Sequence, residues 1–117
     1  MLTRFQRVNL TVDASLALCL ETLKLRNYQT TIFGERRLLC VRRAPQTGCV
    51  ITVEILIEAF SRYETKITVC ANLGDPSLQW EVIGEVLCIA DMIGARARNQ
   101  PEQPAAFPLN AIQVCIA

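Results

Sequence analysis

Two pairs of glutamates have spacings that could set carboxylates side by side. Glu54 and Glu58 lie four apart in a segment of strand-like alternation, and Glu81 and Glu85 lie four apart in a segment of helical period. Such a pair divides acid and base roles when a closed cleft drives its two pKa values apart. No cleft-forming motif accompanies either pair, and glutamates sharing one polar face read as solvated surface. Six cysteines (Cys19, Cys40, Cys49, Cys70, Cys88 and Cys115) are the other nucleophile candidates, and the chain contains no histidine. That removes Ser-His-Asp and Cys-His catalysis, most zinc sites and the usual proton shuttle near neutral pH. A thiolate without histidine needs a lysine or a helix N-terminus beside it, and neither is indicated. No G-x-x-x-x-G-K or G-x-G-x-x-G cradle for phosphate occurs. The expectation is a chain that is not an enzyme, with no catalytic residues, no cofactor and no metal.

The cysteines also bear on compartment. None forms a C-x-x-C pair, and most sit in apolar periodic runs such as Leu16–Leu20, Leu38–Val41 and Val86–Ala90. A small secreted scaffold places cysteines in the loops of a core-poor chain, whereas 51% of these 117 residues are hydrophobic. Reduced, mostly buried thiols are expected. Arg4, Arg7 and Asp13 interrupt the apolar stretch that a signal peptide would require, and every window of about 18 residues carries charge, so a cytoplasmic protein is expected.

The elements that would position these groups follow from hydrophobic period. Residues 4–12 alternate, with Val8, Leu10 and Val12 on one face, and predict a strand. Asp13 is placed to cap a helix over residues 14–26, whose buried stripe is Leu16, Cys19, Leu20 and Leu23. Asn27 suits the left-handed residue that ends it. Residues 30–33 and 38–43 flank a turn at Gly34–Arg37, and a second turn follows at Pro45–Gly48. Residues 50–59 point Ile51, Val53, Ile55, Ile57 and Ala59 one way and Thr52, Glu54, Leu56 and Glu58 the other. Residues 65–71 repeat the pattern with Ile67, Val69 and Ala71 inward. Asp75 and Pro76 then open a second helix with a stripe of Val82, Ile83, Val86, Ile89, Ala90 and Ile93. The reading is α+β: an antiparallel sheet of four to five strands with two helices on one face, in the order β-α-β-β-β-β-α. Residues 1–98 form this one domain. Residues 99–108 are a proline-rich linker, and 109–117 an apolar segment whose alternating Ile112, Val114 and Ile116 suit an added strand.

Net charge is only +1, against a dedicated nucleic-acid binder, but it is unevenly spread. Residues 1–43 carry eight basic residues against three acids, and residues 44–91 two against seven. Arg36, Arg37, Arg42 and Arg43 crowd one hairpin, which reads either as a docking patch for phosphate, lipid headgroup or an acidic partner, or as charge neutralised by Glu54 and Glu58 on the next strand. The sheet face away from the helices is expected to show Leu56, Cys70 and Cys40 or Leu38 among Thr52, Glu54, Glu58, Lys66 and Thr68, a half-apolar mixture typical of interaction surfaces.

Four local features accompany that element order: Arg4-Phe5 opening the first strand, Leu38-Leu39-Cys40-Val41 in the third, the apolar–Glu–apolar run Val53-Glu54-Ile55, and Gly74 before the last helix. Over residues 4–94 the chain thereby resembles the kinase-associated domain found at the C-terminus of some serine/threonine kinases. The resemblance implies a sheet backed by two helices and a module that binds anionic phospholipid or an adjoining kinase domain. Thr68-Val69-Cys70-Ala71 stands where that family often carries basic residues. The function expected is a non-catalytic protein–protein interaction module, an accessory, assembly or regulatory subunit whose partner is another protein or a second copy of itself as a homodimer. The alternative is a membrane-surface module that binds anionic lipid through the arginine hairpin, and a third reading is a small-ligand or enzymatic domain.

Overall fold

The computed structural model describes residues 2–34, 36–44, 48–72 and 79–99. The elements are β1 (Leu2–Val8), α1 (Val12–Leu25), β2 (Gln29–Phe33), β3 (Arg37–Arg43), β4 (Val50–Ser61), β5 (Glu64–Ala71) and α2 (Gln79–Arg98). The strands form one antiparallel sheet in the order β1-β5-β4-β3-β2, with both helices on one face, the α+β arrangement that the periodicity predicts. The expectations for Asp75, Pro76, Gly74, Cys115, the 99–108 linker beyond Asn99 and the 109–117 tail lie outside the described residues.

Strand β1 stops earlier than the alternation predicts. Val8 and Leu10 are buried, but Val12 already begins α1. The cap is Thr11, whose Oγ1 accepts from the Ala14 amide at 3.2 Å, while Asp13 sits inside the first turn, where the helix dipole favours a carboxylate. At the other end Asn27 takes φ 65°, the left-handed conformation expected of it. The buried stripe of α1 is Ser15, Leu18, Cys19, Thr22 and Leu23; Leu16 and Leu20 lie at its flank rather than its centre. Thr22 is tolerated there because its hydroxyl donates to the Leu18 carbonyl at 2.8 Å.

The core lies between the helices and one sheet face. Leu38 and Cys40 of β3, Ile51, Val53, Ile55 and Ile57 of β4, and Ile67 and Val69 of β5 meet Val86, Ile89 and Ile93 of α2 and Leu23 of α1. Leu38 and Cys40 are fully buried, so neither is on the open face; Leu39 and Val41 are there instead. Ala59, expected inward, is exposed beside an irregularity in the β4–β5 register. Near β1, α2 packs tightly: a Cβ on Gly94 would stand 2.9 Å from the Gln6 side chain.

Three titratable groups of this core are held protonated. Burial, then neighbouring Cys40, pushes the Cys19 thiol up to about 12. Burial pushes Cys40 up to about 11, with a Thr30 hydrogen bond opposing. Burial, then the hydrogen bond and charge of Glu85, raises the Tyr28 phenol, with Arg42 and Arg26 opposing. A raised folded-state pKa gives stability that is complete below the unfolded value and lost as pH rises past it. Unfolding free energy measured by denaturant titration should therefore decline as pH rises above 9.0, the ordinary thiol value, by up to about 1.4 kcal/mol per pH unit for each group that ionises only in the unfolded chain. A profile that stays flat between about pH 8 and 11 would contradict this burial.

Candidate functional site: the open sheet face

The second face of the sheet has no helix over it among the described residues. Register places two rows across all five strands. One runs Phe5–Thr68–Leu56–Arg37–Phe33 and the next Thr3–Cys70–Glu54–Leu39–Thr31. Beyond the first row lie Arg7, Lys66 and Glu58; beyond the second lie Thr52, Val41 and Gln29. Of the residues expected on this face, Thr52, Glu54, Leu56, Glu58, Lys66, Thr68 and Cys70 are brought together on it, whereas Leu38 and Cys40 are buried on the helix side.

Aromatic residues add what the sequence reading missed. Phe5 is 56% exposed, Phe33 50% and Phe60 53%. Cations hold two of the rings: the Arg7 guanidinium lies 4.3 Å from the Phe60 centroid, and the Lys66 ammonium 4.6 Å from that of Phe5. Arg7 also pairs with Glu64 at 2.9 Å, and Arg37 with Glu54 across the β3–β4 ladder. The signal for Phe60 was present, since it continues the outward parity of Thr52, Glu54, Leu56 and Glu58. Phe5 likewise has the parity opposite to buried Val8. Phe33 needed the β2–β3 register, which alternation alone does not supply.

Cys70 is the thiol on this face. Its Sγ donates to the Glu54 carbonyl at 3.5 Å. Burial and then the Glu54 charge raise its pKa, with Arg37 opposing, so the environment works against a thiolate nucleophile. Among the described residues no group of three or more His, Cys, Asp or Glu could hold a metal. No helix of the described residues is long and apolar enough to cross a membrane.

The four arginines of the hairpin do not form one patch. Arg36 is exposed at the turn, beside an open recess of about 460 Å³ lined also by Thr11, Val12, Asp13, Leu16, Ile32 and Gly34. Arg37 and Arg43 point to the open face, the latter donating to the Gly48 carbonyl at 2.7 Å. Arg42 has the opposite parity and goes under the helices. Its Nη1 donates to the Arg26 carbonyl at 3.1 Å and lies 3.4 Å from Glu85 Oε1, and its guanidinium stacks 5.6 Å from the Tyr28 ring centroid.

Glu85 is therefore not on a solvated face. Only 15% of its side chain is exposed, and it accepts from the Tyr28 hydroxyl at 2.8 Å while pairing with Arg26 and Arg42. This node ties the end of α1, the entry to β2, strand β3 and α2 together. Helical spacing could pair Glu85 with Glu81, but only the tertiary fold could bring two arginines to it.

No family model matches the chain, and no curated protein matches it. Among solved structures it is similar to the di-domain ARO/CYC StfQ from the steffimycin biosynthetic pathway, at 12% identity with a TM-score of 0.42, over 84% of this chain and 46% of that one. The chain thus spans less than half the length of that structure, and a likeness so slight says nothing of activity.

The two roles of the hairpin arginines should separate by substitution. Arg42→Gln leaves Glu85 and Tyr28 short of a partner and should lower stability by about 1–3 kcal/mol. Arg36→Gln and Arg43→Gln should stay within about 0.5 kcal/mol of wild type, as exposed changes do. Thermal unfolding monitored by circular dichroism measures both, and an Arg42→Gln melting temperature equal to that of Arg36→Gln would break the assignment.

Proposed function

We infer that the chain is a non-catalytic protein-interaction module, an accessory, assembly or regulatory subunit that docks a protein partner on its open sheet face. The observation that carries this reading is the set of three half-exposed phenylalanines, Phe5, Phe33 and Phe60, sharing one uncovered face with Leu39, Val41 and Leu56. Aromatic and arginine side chains are the residues that concentrate in protein interfaces and dominate their energetics. Five strands about 4.8 Å apart and seven residues about 3.4 Å each make a face roughly 24 Å on a side, near the low end of one partner's share in a stable interface. That size suits a regulated contact.

Charge layout favours a protein over an anionic bilayer. Arg7, Arg37, Arg43 and Lys66 share the face with Glu54, Glu58 and Glu64, and two of those arginines are already paired. A lipid-docking surface gains from unpaired cations of one sign, and with Arg42 under the helices the hairpin offers fewer of them.

A paired substitution tests the reading. Phe33→Asp with Leu56→Lys places charges at the edge and in the middle of the face without touching the core. Leu25→Lys changes an equally exposed residue, 59% accessible, at the end of α1. Partners retained by the immobilised wild-type protein should bind the first variant at least about tenfold more weakly, about 1.4 kcal/mol, and the Leu25 variant unchanged. A folded Phe33/Leu56 variant with wild-type affinity would remove the face as the docking site.

A further inference from the structure

The open face repeats itself about its middle strand. Strand β4 is the third of the five, and each full row reads nearly alike to either side of it. In the first row Phe5 and Phe33 are the ends and Leu56 the centre. In the second, Thr3 and Thr31 are the ends, with Cys70 and Leu39 on either side of Glu54. Phe5 and Phe33 each stand two strand spacings from Leu56, about 10 Å. A surface that meets a second copy of itself about a two-fold axis must fit its own reversed image. Phenylalanine against phenylalanine, threonine against threonine and leucine on the axis satisfy that condition. The unlike pair of the first row, Thr68 and Arg37, sets a hydroxyl acceptor opposite a guanidinium donor. A surface shaped for an unrelated protein has no reason to meet the condition.

With the axis laid along β4, Leu56 meets Leu56 and Phe5 meets Phe33 of the second copy. An axis about 15° off the strand gives the roughly 30° between sheets that is usual for aligned packing. Charge fits the same axis. Glu54 and Glu58 lie on β4 and so meet their own counterparts, which alone would repel. Arg37 pairs with Glu54 from β3, and Lys66 stands opposite Glu58 on β5. The second copy, reversed, brings its Arg37 to the β5 side of Glu54 and its Lys66 to the β3 side of Glu58. Each pair of carboxylates then lies between two cations, and these four charges of each copy cancel. An axis across the strands would instead set Arg37 on Arg37 and Glu54 on Glu58. The area fits a weak pair. A face about 24 Å on a side gives roughly 1,200 Å² over both copies, the lower limit for a stable complex, so the pair should dissociate on dilution.

We propose, resting on the docking role of the open face, that its partner is a second copy of this chain, held about a two-fold axis along β4 with Phe5 of each copy against Phe33 of the other. Sedimentation equilibrium of the full-length chain tests it. Wild type should pass from monomer to dimer between about 1 and about 500 µM. Leu56→Lys, which puts two ammonium groups on the axis, should raise the dimer dissociation constant at least about tenfold, and Phe5→Lys and Phe33→Asp should each do the same. The double variant Phe5→Lys/Phe33→Asp sets opposite charges against each other at both ends of the row. It should associate at least about tenfold more tightly than either single variant, a gain that added salt removes. Leu25→Lys, away from the face, should dimerise as wild type does. A wild type still monomeric at about 500 µM overturns the proposal. It leaves the face to a different protein, which the loss or survival of retained partners in Phe33→Asp/Leu56→Lys decides separately. A Leu56→Lys dimer as tight as wild type also overturns the proposal by moving the contact off the face. So does a double variant no tighter than the single ones, which would turn the axis.

Discussion

The ladder between β1 and β5, from Leu2 opposite Ala71 to Val8 opposite Thr65, joins the first described strand to the last one of the sheet. Everything in the architecture answers to it. With β1 at one edge and β2 at the other, the connection between them must cross the whole sheet, about 19 Å over four strand spacings, and α1 is that crossing. The Thr65 hydroxyl, fully buried, donates to the Leu10 carbonyl at 2.8 Å and fastens the turn that leads into the crossing. Helix α2 then fills the remaining width on the same side, and the node of Glu85, Arg26, Arg42 and Tyr28 locks its N-terminal half to the far end of α1. Both helices are committed to one face, which leaves the other without a layer among the described residues.

An antiparallel sheet with one wet face usually shows a clean alternation of apolar inside and polar outside. Here the inner positions obey it and the outer ones do not. Leu39, Val41 and Leu56 stand where polar residues would suffice, and Phe5, Phe33 and Phe60 keep about half their surface in water. Stacking of Arg7 and Lys66 on two of these rings keeps charged groups over the apolar surface. That arrangement lowers the tendency to aggregate while leaving rings that a partner can bury.

Much of this was legible in the sequence because alternation is a local signal. The inward sets of β4 and β5 and the outward set of Glu54, Leu56, Glu58, Lys66 and Thr68 follow from parity within one strand. Other features depend on contacts between distant segments. The parity of β3 was ambiguous because Leu38, Leu39, Cys40 and Val41 are all apolar, so periodicity could not say which pair is buried; packing against α1 and β4 decides it. Arg42 looked like part of a cationic hairpin because Arg36, Arg37 and Arg43 stand close to it in sequence, whereas its partner Glu85 is 43 residues away. Thr11 and Asp13 are both good capping residues, and the choice between them turned on where β1 ends.

The open face as a docking surface is tested most directly by Cys70, which lies in its second row, with Cys88 of α2 as an internal control on the helix side. Both thiols are partly accessible. Their rates of alkylation, followed by mass spectrometry with and without a bound partner, report the two sides of the same molecule. The account predicts that the partner slows Cys70 modification at least about tenfold, a shift of about 1.4 kcal/mol in its exposure equilibrium, and leaves Cys88 unchanged. Protection of Cys88 with Cys70 unaltered would place the partner on the helices and contradict the account.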